Sequence, residues 1–314
     1  MVVLVMKRRK FLRNSVLGAG TFAITPLFTC SAMKKELKIS LAQWSLHRSF
    51  ENGELDPVDF ASIARKKYNI DAVEYVNGFY PGKAEDEAFW KLMKTRSDDA
   101  GVKNLIMMVD EEGDLGAAGE KERLAAVENH HKWIRAAAIL GIPTVRVNAF
   151  GDADLEIYKP AIMDSMARLA DYAAPMQINI VIENHGLFSS DAALMAGIMQ
   201  EVNRPNFGSL PDFGNWCLTA KWGTTQDDDC IEAYDRYQGV AELLPYAKAV
   251  SAKSYNFNEQ GEDTKIDYYR MMKIVKNSSY SGYIGIEYEG TEKSEHEGII
   301  MTRALLERVW EELK

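Results

Sequence analysis

Cysteine is scarce in this chain. There are three in 314 residues, at 30, 217 and 230, and none has the paired spacing of a metal site. Cys217 and Cys230 could bridge in an oxidising compartment, but sequence alone does not set their geometry, and two separate thiols are expected. Basic charge is also short. Lys and Arg number 37 against 46 Asp and Glu, for a formal net charge of −9. The body of the chain has no basic patch large enough to track a phosphate backbone, so nucleic acid is excluded as a partner. Long apolar runs are missing too. The run at 16–24 is too short to cross a bilayer, and no transmembrane segment is expected. Low-complexity segments, short-period repeats and a domain-splitting linker are not seen either. What is there is 46% hydrophobic residues, enough in a chain of this length to bury a large core.

The start of the chain differs from the rest. Lys7-Arg8-Arg9-Lys10 precedes the apolar run, and the segment carries five basic residues and no acidic one. Residues 1–32 read as a twin-arginine export signal and linker, not as fold, with Met6 the more natural start. An exported, periplasmic, acidic protein is expected. Cys30 leaves lipid anchoring open, although Phe28 is bulky for a lipoprotein cleavage box.

From residue 37 onward, apolar runs of strand length alternate with amphipathic stretches of helix length. Strands are expected at 38–44, 71–76, 102–109, 144–148, 178–183, 206–212, 247–255 and 282–288. Helices are expected at 57–68, 85–100, 120–140, 154–174, 191–202, 231–244, 267–276 and 295–313. Eight such units over 37–314 predict a single α/β domain, a closed (β/α)8 TIM barrel.

In a parallel barrel the C-terminal ends of the strands converge on one face, where chemistry is placed. The fifth strand, Ile178 to Ile182, runs into Glu183-Asn184-His185-Gly186. The first offers Gln43, Trp44 and His47, the second Glu74, the fourth Asn148, and the sixth Asp212 and Asn215. The seventh offers Lys253 and the eighth Glu287. Of Glu287 and Glu289, only Glu287 is expected to face the barrel centre. Carboxylates gathered at one mouth repel and need a cation, a lysine or shared protons. Glu183, Asp212 and Glu287 are candidate ligands for a divalent metal, and an all-oxygen set favours Mn2+ or Mg2+. Glu183 and Glu287 are the candidate acid–base pair, with Lys253 as a third catalytic candidate. Trp44, Glu74, Asn148, His185 and Asn215 are candidate substrate contacts. Trp44, Phe79, Tyr80 and Trp216 are aromatics that could stack on a sugar. His130 and His131 fall on a helix away from the mouth and are expected at the surface.

Three motifs carry a resemblance: Glu183-Asn184-His185-Gly186, Pro211-Asp212-Phe213-Gly214-Asn215 and Gly285-Ile286-Glu287-Tyr288-Glu289-Gly290. With the eight-unit plan, they resemble the sugar phosphate isomerase/epimerase group of xylose isomerase-like TIM barrels. The resemblance implies one divalent metal held by a Glu, an Asp, a His and a Glu on strands five to eight, the two Glu also moving protons. Glu183, Asp212 and Glu287 match. Ser251 stands where the His is expected, and Asn215 where a His often follows the strand-six Asp. Three arrangements remain open: metal on three carboxylates plus water, His185 or another group as substitute ligand, or Lys253 in place of the metal.

The resulting expectation is an exported carbohydrate isomerase or epimerase acting by proton abstraction next to a carbonyl. The same enolisation could instead expel a leaving group, giving a lyase or hydratase on keto-glycosides. A non-catalytic sugar-binding barrel is the reading from a different class, and metal-dependent DNA cleavage ranks below both. The partner is a small sugar or sugar derivative, and a homo-oligomer is compatible with the sequence.

Overall fold

The computed structural model describes residues 35–223 and 230–313. The expected export signal and Cys30 lie outside the described residues. Eight parallel strands run β1 (Ile39–Ala42), β2 (Ala72–Val76), β3 (Lys103–Val109), β4 (Thr144–Val147), β5 (Asn179–Glu183), β6 (Phe207–Leu210), β7 (Val250–Ser254) and β8 (Ile284–Tyr288). Sequence neighbours pair from β1 through β6 and again from β7 to β8, and β8 pairs with β1. The seam falls between β6 and β7, where isolated parallel bridges, Ser209 with Ala247 and Asp212 with Ser251, stand in place of a ladder. The register slips by a residue between those bridges, so a continuous ladder cannot form. The result is the expected α/β barrel.

Helices follow the strands: α1 (His47–Glu51), α2 (Phe60–Tyr68), α3 (Glu87–Asp99), α4 (Glu120–Leu140), α5 (Leu155–Ala173), α6 (Ala192–Val202), α7 (Arg236–Leu243), α8 (Tyr268–Asn277) and α9 (Glu295–Glu312). Several begin on an aspartate that accepts from a backbone N–H of the first turn: Asp86, Asp154, Asp191, Asp235 and Asp267. Ser294 and Glu297 form a capping box on α9. Each satisfies an N–H the helix cannot pair internally.

The core has two parts. The larger lies between strands and helices. The smaller fills the inside of the barrel with Ala42, Val76, Ile106, Met108, Val181, Leu210 and Ala249. Side chains two residues apart on a strand share a face. The inward positions beside this plug are therefore Arg146, Glu183, Ser251 and Glu287, and the polar site sits against an apolar floor.

Two expectations fail here. The helix expected from 231 starts at Arg236, because Ala233 bridges antiparallel to Cys217 and holds 231–235 extended. His130 is buried, not at the surface. Its Nδ1 lies 2.7 Å from the Ala126 carbonyl, and burial lowers its pKa.

Candidate active site

At the C-terminal ends of the strands lies a cavity of about 630 Å3. Lys253 and Glu287 line it from β7 and β8, Arg146 from β4, and His185 and Asn215 from the loops after β5 and β6. Trp44 and Phe79 form an aromatic wall on the β1–β2 side.

Lys253 is 1% exposed. Its Nζ donates to Asn215 Oδ1 at 3.1 Å and Glu289 Oε1 at 3.2 Å, and lies 3.4 Å from Glu287 Oε1. Burial alone would lower its pKa, but Glu287, Glu289 and Asp212 outweigh it and raise the pKa well above the ordinary value, so the ammonium is charged. Both Glu287 and Glu289 reach it, contrary to the expectation that only one would face inward. Glu289 lies one residue past β8, and its N–H still pairs with the Ser254 carbonyl at 2.9 Å, so the strand's alternation carries it to the same face as Glu287.

Glu183 is 1% exposed and lies one layer beneath the cavity wall. Its Oε2 is 2.9 Å from Arg146 Nε, and Asn215 Nδ2 donates to its Oε1 at 3.3 Å. Burial pushes its pKa well up, and Glu287 and Asp212 add to the push while Arg146 opposes it. Asp212 lies at the same depth. Its Oδ1 accepts from the backbone N–H of Gly214 and Asn215, at 2.7 and 2.8 Å, closing the turn that carries Asn215. Asn184 clamps that turn from below, accepting from Asp212 N and donating to the Asp212 and Asn215 carbonyls.

Ser251 joins the remaining two acids. Its Oγ is 2.6 Å from Asp212 Oδ2 and 2.9 Å from Glu287 Oε2. A hydroxyl has one proton to give. Only one of these contacts is a donation from Ser251, and the other is satisfied when that carboxyl carries a proton. Burial raises the pKa of both acids, which favours such a proton.

His185 lines the cavity through a fixed chain of bonds. Its Nδ1 is 2.7 Å from Asn148 Oδ1, and Asn148 Nδ2 donates to Asp110 Oδ1 at 2.6 Å. Arg146 Nη1 donates to Asp110 and Asn148. Burial, with Arg146 and Lys253 nearby, holds the His185 pKa well below 6.5. The imidazole is neutral, its proton sits on Nδ1, and Nε2 is left as an acceptor.

Other expected contacts move. Asn148 does not line the main cavity; it orients His185. Glu74 lies deeper inside the barrel, accepting from Ser40 Oγ at 2.6 Å, and does not line the cavity. Gln43 and Tyr80 hydrogen-bond to each other in the interior. Trp216 is fully buried and packs toward Gly239 of α7, where no Cβ would fit. Trp44 stacks on His47 with ring centres 4.8 Å apart. Glu295 holds the turn beneath them through the backbone N–H of Arg48 and Ser49.

Sequence reasoning missed Arg146, Asp110 and Trp222. Arg146 was open to discovery: it lies two residues before Asn148 on a strand and so shares its face. Cys217 and Cys230, expected as separate thiols, are disulfide-bonded.

One carboxylate oxygen each from Glu183, Asp212 and Glu287 lie within 4.8 Å of one another. These residues could hold a divalent cation. The donor set fits a hard, oxygen-seeking ion, Ser251 adding a neutral oxygen where an imidazole is expected. A cation there would favour the ionised form of all three acids, whose pKa values burial raises.

Eight parallel strands, with acids at the ends of the fifth, sixth and eighth, define a barrel of the xylose isomerase type. Residues 64–308 match the family model described as "Xylose isomerase-like TIM barrel". The chain belongs to that family. Among solved structures it is similar to 3-keto-D-glucoside 4-epimerase from E. coli, at 14% identity and a TM-score of 0.63, over 86% of this chain and 99% of that one. It is similar to an L-ribulose 3-epimerase, at 13% identity and a TM-score of 0.64, over 88% and 96%. A family 2 AP endonuclease from Brucella melitensis also matches, at 14% identity and a TM-score of 0.60, over 86% and 99%. No curated protein matches the chain. At these identities the likeness speaks to the fold.

Proposed function

We propose that this protein is a carbohydrate isomerase or epimerase that moves a proton at a carbon next to a carbonyl. The observation that carries the reading is the group at the strand ends: Glu287 facing the cavity, Lys253 charged beside it, and Glu183 one layer below. Burial raises the pKa of both glutamates, which makes each hold a proton more firmly than a free carboxylate does. Glu287 touches the substrate and removes the proton. Lys253, charged and desolvated, polarises the carbonyl as the enolate forms. Glu183 is the second proton stop, needed to return a proton at another face or carbon. The neutral His185 accepts from a sugar hydroxyl through Nε2, and Arg146 holds Glu183 in place. A divalent ion on Glu183, Asp212 and Glu287, when bound, supplies further polarisation of the substrate oxygens.

The sugar epimerases among similar structures support the substrate class, and the acidic cavity argues against the endonuclease reading. Export to the periplasm belongs to the same proposal. Support comes from the twin arginine at the start and from the disulfide, which persists in oxidising compartments. A lyase acting on keto-glycosides would use the same enolisation with a leaving group on the adjacent carbon.

The test is solvent-deuterium uptake by free and keto sugars, with and without EDTA and added Mn2+. Glu287→Gln and Glu183→Gln are each expected to lower exchange by about 100-fold or more, with the melting profile retained. Wild-type protein that binds sugar yet catalyses no exchange would sink the enzyme reading in favour of a sugar-binding barrel.

A further inference from the structure

Trp222 is used by nothing above, and its setting is unusual. Its backbone sits at φ 72°, in the left-handed region that a bulky residue avoids. Its side chain is 40% exposed, yet it lines the cavity. The ring centre is 5.2 Å from those of His185 and Phe150, with the planes close to perpendicular.

The surrounding chain is built to keep it there. Lys221 bridges antiparallel to Gly186, and Cys217 N donates to the Gly223 carbonyl at 2.9 Å. Gly186 and Gly223 meet so closely that a Cβ on Gly186 would lie 2.6 Å from Gly223 N and 2.1 Å from the Ala220 carbonyl. Leu187 N reaches the Cys217 carbonyl at 3.1 Å, and Cys217 is tied to Cys230. A strained backbone that presents an open indole to a cavity points to a ligand contact, since such strain persists where surrounding structure over-determines it and clusters at ligand clamps. The opposite wall carries Trp44 and Phe79, beyond Glu287 and Lys253. The cavity volume falls in the range that holds drug-sized ligands, with room beyond a single hexose ring.

We propose that Trp222 is the platform for a second ring, sugar or aglycone, attached to the sugar that reacts over Glu287, so that glycosides are taken in preference to free monosaccharides. The inference rests on the sugar-enzyme reading and adds to it the substrate's extended shape. The apolar face of a pyranose or an aryl aglycone packs on the indole, while the reacting ring stays with Glu287, Lys253 and His185.

The experiment is calorimetric titration of full-chain protein with D-glucose, methyl β-D-glucoside, phenyl β-D-glucoside and cellobiose. The two-ring ligands are expected to bind about tenfold tighter than the one-ring ligands, the scale of one well-packed aromatic contact. Trp222→Ala is expected to collapse that ratio toward one, and Trp222→Phe to restore most of it. Trp222→Gly separates strain from contact: it relieves the backbone, so thermal stability should hold or rise while the ratio still collapses. Equal wild-type affinity for one-ring and two-ring ligands, or a ratio unchanged in the alanine and glycine variants, would overturn the proposal. Deuterium exchange on keto sugars, run in parallel, keeps the two readings apart. Exchange without two-ring preference defeats the platform alone. Two-ring preference that depends on Trp222, without exchange, defeats the enzyme reading and leaves the platform standing.

Discussion

Glu74 is a carboxyl inside the barrel with one oxygen bonded to Ser40 and the other without a hydrogen-bond partner among the described residues. Burial, with Glu287 nearby, raises its pKa to about 7 despite the Ser40 bond. The folded protein therefore holds this proton more tightly than the unfolded chain does. Stability from that proton is fully present below the ordinary carboxylate pKa and is lost as pH rises through about 7. Glu74→Gln should be more stable than wild type at pH 8, by roughly 3 kcal/mol, and nearly equal to it near pH 4. Melting temperatures of both proteins across that range check this, and a pH-independent difference would contradict it. At this scale the sequence was partly legible. Acids at strand ends are visible because strand ends are visible. Depth is not: nothing in the letters separates Glu287 at the cavity from Glu74 beneath it, or shows that Asn148 serves His185. Those depend on strand stagger, which only the closed barrel fixes.

At the scale of elements, the helices were readable because their starts carry local signals. Asp154, Asp191 and Asp267 cap the helices they were expected to open. The stretch after β6 was not readable in this way. Its shape comes from long-range ties: the Cys217–Cys230 bridge, the Cys217–Ala233 pairing and the Gly186–Lys221 pairing. The bridge closes a separation of 13 residues, for which chain entropy gives about 3 kcal/mol. Reduction by dithiothreitol should lower the melting temperature by several degrees. Replacing both cysteines with serine should do the same and abolish the response to reductant. A melting curve indifferent to reductant would show that the packing of Trp216 and Phe213 holds the segment unaided.

Over the whole molecule, charge decides what the mouth admits. Glu51, Asp110, Glu111, Glu287 and Glu289 line the cavity against Arg146 and Lys253, and both cations are already paired with carboxylates. An anionic substrate meets repulsion and no free cation among the described lining residues. Neutral sugars should be turned over with a kcat/KM at least about tenfold above that of their phosphates, and the gap should narrow at high salt as the repulsion is screened. Kinetics at two ionic strengths check this, and a preference for phosphates would refute it. The eight-unit plan itself was legible from residue 37 onward, because alternation of strand and helix patterns leaves few architectures open. Where the sheet closes was not. The barrel meets itself between β6 and β7, where backbone pairing is sparse and the Ser251 hydroxyl lies between Asp212 and Glu287. The hoop is fastened there by a few backbone bonds, Lys248 N to Ser209, Ser251 N to Pro211 and Phe213 N to Ser251, together with the Ser251 hydroxyl. Chain closure and the gathering of the acids therefore share one place in the ring, and a change to Ser251 touches both.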